Sequence, residues 1–316
     1  MTAVGHWPRP RADAGGLLMS SASPRGLFIG LATLDVIHRV RALPGPDEKI
    51  TALRTEVAAG GPAAVAAITF AALGGHARLV TALGKGVPAA AVRADLAGAG
   101  VEVIDVAPEG FVLSPASVLV VEQTGERSVV GGGAGRIGVE PPGTESVEVA
   151  AADVIMIDGH HPEVAVAFAA AAGAEGRPVV VDLGSDKPVY SRILPWVTDA
   201  ICSADYRAAD GSPPPSMLGR GPSLVAVSHG GDPVEWWTNQ GHGLVAVPPV
   251  AAVDTLGAGD VLHGAYAFAL AVGQDRLEAL RTAVRVAGIR VRHVGPRAWR
   301  ASLRPGLLGD SRRPIE

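Results

Sequence analysis

The chain is expected to fold as an α/β protein, a doubly wound and mostly parallel sheet flanked by helices, with a small β sheet set beside it. Three observations lead there. From residue 153 onward, short apolar β-rich runs alternate with helical patterns, the order that builds a parallel sheet. The runs VIMID, PVVVD, AICS and LVAVS end at Asp158, Asp182, Ser203 and Ser228, and polar residues at strand carboxyl ends line the ligand crevice of such a sheet, although each also suits a helix cap or a turn. Residues 36–57 and 111–131 instead pair β-rich runs around turns, which marks a small sheet outside the main layer.

Composition narrows the function classes. With 316 residues, 48% of them hydrophobic, the chain buries a full α/β core as one large domain or one domain plus a small appendage. A net charge of -4 offers no basic surface for nucleic acid or anionic membrane, so small molecules are the expected partners. One cysteine, Cys202, excludes an internal disulfide and a cysteine-based zinc cluster and reads as a small buried thiol. No apolar run approaches the roughly 18 residues that span a bilayer, and GGLLM near the start is too short for a signal core, so a cytoplasmic protein is expected.

Residues 1–25, rich in Arg, Pro, Gly and Ser without periodicity, read as a disordered extension. LFIGLA is a buried first strand with Asp35 beyond its end. Gly60, Gly61 and Pro62 then open an alanine-rich helix to about Leu73, because paired glycines permit a backbone that a side chain blocks and proline suits the first helical position. Residues 77–106 continue as strand, helix, strand. SVLVVE and RSVV flank the turn Gln123–Glu126 as a hairpin, and Gly131–Gly135 follows as a mobile connection. In GDPVEWWTN the adjacent Trp236 and Trp237 face opposite ways, one at least being ordinary packing. His160 and His161 have no third ligand at metal spacing and read as a loop facing the cleft.

The stretch VDTLGAGDVLHG, Val253–Gly264, carries the chemistry. A helix start exposes unpaired N–H groups and the positive end of the helix dipole, so the small residues Gly257, Ala258 and Gly259 let an anion approach the backbone. Asp260 falls in the first turn, where its carboxylate is favoured and can face whatever the N–H groups hold. A base beside an anion pocket points to phosphoryl transfer, in which the enzyme positions groups and one residue accepts the proton of the attacking hydroxyl. The alternative is a plain helix start with an acidic first turn. The helix then places Val261, Leu262, Ala265, Phe268, Ala269 and Val272 on an apolar face, with His263 off that stripe as a surface or cleft-edge residue. A second helix covers about Arg276 to Val291, and the tail after Leu303 reads as flexible.

Asp254-Thr255-Leu256-Gly257-Ala258-Gly259-Asp260, with Gly264 and Ala265, resembles the C-terminal signature of the ribokinase-like, or PfkB, family of carbohydrate and nucleoside kinases. Gly60-Gly61-Pro62-Ala63-Ala64, with Gly74 and Gly84, resembles its N-terminal signature. The resemblance covers roughly residues 26–295 and implies a kinase domain over 26–303 with a β lid from about 36–57 and 111–131. It implies Asp260 as catalytic base, residues 257–259 as anion hole, and Asp35, Gly60 and Gly61 as sugar-binding residues. Ser228-His229-Gly230-Gly231 resembles the family's Thr-x-Gly turn against the nucleotide, which implies Ser228, Gly230, Thr255, Gly257 and Gly259 on the ATP side. Asp254 is implied at a monovalent-cation site, so ATP, Mg²⁺ and K⁺ are the expected cofactors, and a lid with open edges implies a homodimer.

Two departures stand out: Val65 takes the place of the family's asparagine, and Ser203-Ala204-Asp205-Tyr206 replaces its Asn-x-x-Glu pattern, with Asp205 a partial substitute. A Walker-type kinase is excluded because Gly84-Lys85-Gly86 lacks the Lys-Ser/Thr ending, and a nicotinamide dehydrogenase because no glycine fingerprint follows the first strand. The expected activity is ATP-dependent phosphorylation of a primary hydroxyl on a sugar or sugar derivative. GGPAA, TGER and AGDVLHGA look nearest the ketose-kinase branch that includes sulfofructose kinase. The alternatives are a nucleoside kinase, which the 4% aromatic content disfavours, and a catalytically silent sugar-binding protein.

Overall fold

The computed structural model describes residues 23–133, 137–145 and 147–303. The expected N-terminal extension, up to residue 22, and the C-terminal tail from residue 304 lie outside it, as does part of the Gly131–Gly135 run. Arg25, which the sequence reading left in the extension, already opens the first strand.

Among the described residues the main sheet has nine strands, in the order β13-β12-β11-β10-β9-β8-β1-β4-β5. They are β1 (Arg25–Ile29), β4 (His76–Thr81), β5 (Val101–Asp105), β8 (Val154–Ile157), β9 (Val179–Leu183), β10 (Asp199–Ser203), β11 (Leu224–His229), β12 (Asp232–Thr238) and β13 (Gly241–Val245). From β5 to β11 every pairing is parallel, and β12 and β13 add an antiparallel edge. The central strands β8 and β9 are buried along their whole length, which is why they read as continuous apolar runs rather than alternating ones.

Helices cover both faces. On one, α1 (Pro62–Ala72), α2 (Val87–Gly98), α5 (Ala258–Ala271) and α6 (Arg276–Val291) close a core holding Phe28, Met156 and Ile201. Phe70 of α1 sits edge-on between Phe28 and Phe268, with ring centroids 5.4 and 5.3 Å away. On the other face, α3 (Pro162–Ala174) and α4 (Val189–Ile193) cover Leu27, Ile29 and Ile157. Trp236 packs on the first core and Trp237 on the second, as alternation along a strand requires.

The second sheet has the order β3-β2-β6-β7, formed by β2 (Thr33–Val40), β3 (Arg54–Gly60), β6 (Ala116–Val121) and β7 (Arg127–Val130). Both expected hairpin regions join it, but β2 starts at Thr33, so Asp35 belongs to the lid sheet rather than to the loop after β1. Ile37, Val118 and Val120 form its small core and rest on Leu256, in the segment that leads into α5. The small sheet is thereby seated on the segment that precedes α5.

Candidate active site

The site is built where the carboxyl ends of β1, β8 and β9 meet the first turns of α1 and α5. Gly257 caps α5 with φ of 73°, a left-handed conformation that glycine adopts without strain. The N–H of Ala258 turns back to the Thr255 carbonyl (3.2 Å), and that of Val261 makes the first helical bond, to the Gly257 carbonyl (3.0 Å). The N–H groups of Gly259 and Asp260 meet no backbone acceptor among the described residues, as expected for a first turn. A Cβ at Gly259 would meet open space, so the N-terminal face of α5 is accessible to an incoming group.

Asp260 projects from this turn, half-buried, and a Cβ at Gly257 would lie 3.7 Å from its Oδ2 and 3.8 Å from Val65 Cγ1. Val65, where the resemblance expects an asparagine, therefore does line the turn, but with an apolar face. Burial and the neighbouring carboxylate of Asp182 push the Asp260 pKa up to about 7; Asp158 and Asp35 add to the rise and His263 opposes it.

Asp35 and Gly60 belong to the same site. Thr33 pairs with Gly60 across β2 and β3, and a Cβ at Gly60 would fall 1.9 Å from the Asp35 carboxylate, so only glycine leaves room for that acid. Thr33 Oγ1 donates to Asp35 Oδ1 (2.5 Å), and burial raises the pKa of Asp35 against that hydrogen bond. Gly61 has φ of 94°, and a Cβ there would strike the Leu31 carbonyl at 2.4 Å. Asp35 lies near enough to Asp260 to raise its pKa, and Val65 lies beside Gly257, so these residues are gathered in one part of the fold.

Two acids at strand ends prove to be part of its frame. Asp158 is 1% exposed and accepts four hydrogen bonds, at Oδ2 from Leu31 N (2.9 Å) and Ala63 N (3.1 Å) and at Oδ1 from His160 N (2.9 Å) and His160 Nδ1 (3.0 Å). It ties the end of β1, the start of α1 and the end of β8 together. Burial works against its charge, yet His160 and the backbone donors outweigh that and hold its pKa well below the usual carboxylate range. Asp182 is also buried, and burial raises its pKa.

Of the two expectations for His263, surface or cleft edge, its burial excludes the first. It is buried, with Nδ1 2.8 Å from the Gly259 carbonyl, Nε2 3.3 Å from the Ile201 carbonyl and 3.6 Å from Asp182 Oδ1. The apolar stripe misled because α5 lies between α1, α6 and the sheet, so Val261–Ala269 is buried on every side. His160 hydrogen-bonds to Asp158, while His161 is buried with both ring nitrogens unpartnered.

Asp254 also departs from the expectation. Its Oδ1 accepts from Leu256 N (3.0 Å), and its Oδ2 from Gly295 N (2.9 Å) and Arg39 Nη2 (2.5 Å), with Arg290 Nη2 3.3 Å away. Two guanidinium groups occupy the surroundings in which a monovalent cation was expected, so the residues present do not fit a K⁺ site. Thr255 is exposed and lines a small pocket with Arg39, Val120 and Arg127 of the lid.

Ser228 and Gly230 lie elsewhere along the carboxyl edge, at the end of β11, and no hydrogen bond joins them to the 257–259 turn among the described residues. Ser228 Oγ donates to the Cys202 carbonyl at 3.3 Å. Asp205 is exposed, and no group of three or more His, Cys, Asp or Glu able to hold a metal occurs among the described residues. A larger hollow lined by Asp186, Lys187, Tyr206, Met217 and Arg220 contains none of the residues above. No described helix is long and apolar enough to cross a membrane.

Comparison with known proteins supplies the chemical context. A family model described as pfkB family carbohydrate kinase matches residues 25–301. The chain is 28% identical over 251 residues, 77% of its length and 83% of the relative's, to an ATP-dependent ribose-1-phosphate kinase of Halopiger xanaduensis. It is 25% identical over 281 residues, 83% of its length and 94% of the relative's, to the ketohexokinase of Mus musculus. Among solved structures, a putative ribokinase from Agrobacterium tumefaciens superposes with a TM-score of 0.78 at 24% identity, covering 89% of this chain and 96% of that one.

Proposed function

The chain belongs to the pfkB family of carbohydrate kinases and is an ATP-dependent sugar kinase, and we propose that it phosphorylates a primary hydroxyl with Asp260 as general base. The observation that carries this reading is the placement of Asp260. It rises from an open helix N-terminus on one side and shares a cleft with Asp35, Gly60 and Gly61 on the other.

In the proposed mechanism Asp35 and the backbone at Gly60 and Gly61 hold sugar hydroxyls and present one of them to Asp260. The triphosphate lies with its terminal phosphoryl group over Gly257–Gly259, where the N–H groups and the helix dipole stabilise the charge that spreads over the transferring oxygens. Its adenosine end runs toward Ser228 and Gly230. As the hydroxyl oxygen forms its bond to the γ-phosphorus, the bond to the β–γ bridging oxygen breaks, ADP leaves, and the hydroxyl proton passes to Asp260. Phosphoryl transfer has a loose transition state, so a base titrating near neutrality suffices. Mg²⁺ would be held chiefly by the ATP phosphates and would supply neutralisation of their charge; among the described residues no group of three or more His, Cys, Asp or Glu is assembled for it.

The ketohexokinase among the relatives and the GGPAA and TGER segments favour a ketose or related sugar derivative as acceptor. Exposed Val57, Val129 and Val130 on the lid support a homodimer through that sheet. The single, buried Cys202 is consistent with a cytoplasmic enzyme. The test is ADP release from MgATP across ketoses, pentoses, sulfosugars and nucleosides, alongside Asp260→Asn. Turnover with a sugar, falling by roughly 10²- to 10⁴-fold in the variant, is the expected result. Near-normal turnover in the variant removes Asp260 as the base, and turnover with nucleosides alone removes the sugar assignment.

A further inference from the structure

We propose that Arg290 is a built-in cation, a positioning residue whose guanidinium stands where a monovalent ion would otherwise bind and makes catalysis independent of K⁺. The inference rests on the reading of 257–259 as the anion turn.

Arg290 lies in the last turn of α6 and is 2% exposed. Its Nη1 donates to the carbonyl oxygens of His293 (2.8 Å) and Asp254 (3.3 Å). Its Nη2 donates to the Leu256 carbonyl (2.7 Å) and lies 3.3 Å from Asp254 Oδ2. The guanidinium is thus ringed by three carbonyl oxygens and a carboxylate oxygen, from two segments of chain. Such a set of hard oxygens is what an alkali cation selects, and here a side chain fills it permanently. A guanidinium has five N–H donors, and four of Arg290's find these acceptors, so the charge is buried but not orphaned.

The ring has a mechanical consequence. The carbonyls of Asp254 and Leu256 belong to the peptide units that lead directly into the Gly257–Gly259 turn, so fixing them fixes where the following N–H groups point. Val253 N and Asp254 N add bonds to the Val291 carbonyl (2.8 and 3.1 Å), which keeps the strap on the end of α6. On its other side Asp254 receives Arg39 from lid strand β2, and Arg39 Nε also reaches Glu56 Oε2 on β3 (3.3 Å). Two guanidiniums and two carboxylates therefore balance, and an added ion brings uncompensated charge into a closed site.

K⁺ is expected to leave the native chain unchanged and to rescue Arg290→Ala. The native enzyme, freed of ammonium and assayed with MgATP and its sugar at matched ionic strength in choline, Na⁺ or K⁺ chloride, changes rate by less than about twofold. In choline the Arg290→Ala variant loses at least about tenfold in turnover, because the emptied ring no longer holds the turn, and K⁺ restores a saturable part of that loss. Thermal melts of both proteins in the same salts give a second reading: K⁺ raises the Tm of Arg290→Ala beyond choline and leaves the native Tm unmoved. Arg290→Lys, which keeps the charge, shows less of the loss and less of the K⁺ response.

Saturable activation or stabilisation of the native protein by K⁺ overturns the proposal, and so does a folded Arg290→Ala that ignores K⁺ in both assays. Should Arg290→Ala fail to fold, the native salt series decides alone. Should no sugar turn over, the reading of the function fails while the melts still report on the ion, so the two failures separate.

Discussion

Replacing Asp158 by alanine should cost more stability than any other single change in the cleft, and should weaken sugar binding at the same time. The carboxylate is 1% exposed, and the N–H groups of Leu31, Ala63 and His160 all end on it. Leaving a buried donor without an acceptor costs about 1–3 kcal/mol. Three orphaned donors give roughly 3–9 kcal/mol, and a water entering the vacated space brings the cost toward the lower figure. Against a total of about 5–15 kcal/mol for a domain, even that is a large fraction. Asp158→Asn keeps one oxygen for Leu31 and Ala63 but turns an amide toward the His160 N–H, so a loss of about 2 kcal/mol is expected. Urea unfolding at fixed pH measures both through the midpoint with unchanged slope. Because the native pKa of Asp158 is depressed, the difference between wild type and Asp158→Asn should stay flat from about pH 8 to 5, and shrink only as the pH falls below the unfolded value of about 4. The KM for sugar should rise in both variants, since Ala63 and Leu31 flank Gly61 and Asp35. A loss below about 1 kcal/mol in Asp158→Ala, with unchanged slope, refutes the idea that this carboxylate frames the site.

Other consequences can be checked as directly. With Asp260 titrating near 7 and needed as the free base, kcat/KM should rise with pH and at pH 6 stand at about one tenth of its plateau; a plateau reaching down to pH 5 contradicts this. The raised pKa also means that the ionised Asp260 destabilises the fold, a contribution that grows as pH rises through about 7. Asp260→Asn should therefore have a higher Tm than wild type at pH 8 while losing turnover, and a lower Tm there would reverse the sign of the argument. Gly264→Ala, a change that normally gains about 1 kcal/mol in a helix, should here destabilise by about 1–3 kcal/mol, because the new Cβ falls 2.3 Å from the Ala66 carbonyl of α1. Val129→Lys with Val130→Lys on the exposed lid edge should convert a dimer to monomer in light scattering, with melting unchanged.

Much of the frame was legible because its signals are local. The glycine-led starts of α1 and α5, the extent of α6 and the polar strand ends at Asp158 and Asp182 each follow from a few neighbouring residues. The lid was legible as two β-rich hairpin regions, but not its inclusion of Asp35, because Thr33 and Asp35 follow a buried strand with only a short break. What the sequence concealed was long-range. Arg39 and Asp254 are 215 positions apart, and a lone arginine in a strand or at a helix end reads as a solvated charge. The VAGIRVR pattern of α6 did hold a clue, since Arg290 directly follows buried Ile289 near a face that also holds Val286 and Ala283. The burial of His263 was hidden for a related reason: periodicity assumes one solvent face, and α5 has none over Val261–Ala269.

Burial first, and the neighbouring carboxylates after it, would give Asp260, the proposed base, its strength without a dedicated partner. Three other carboxylates, Asp35, Asp158 and Asp182, converge on the cleft for separate reasons: one lies against Gly60, one clamps three backbone segments, and one ends β9 beside His263. Of these, Asp158 keeps its charge through hydrogen bonds, whereas Asp182 and Asp260 share a buried region in which full ionisation of both is unfavourable. The proton that this region retains near neutrality rests where the sugar hydroxyl must deliver its own, so an empty cleft holds part of the enzyme in the wrong protonation state. A magnesium-bound triphosphate still carries net negative charge, so its arrival beside Asp260 adds to the carboxylate repulsion and favours the protonated acid. On this argument the pH midpoint of kcat, measured with both substrates bound, should lie above that of kcat/KM for the sugar measured at MgATP well below its KM. Equal midpoints would mean that the nucleotide leaves Asp260 electrostatically untouched.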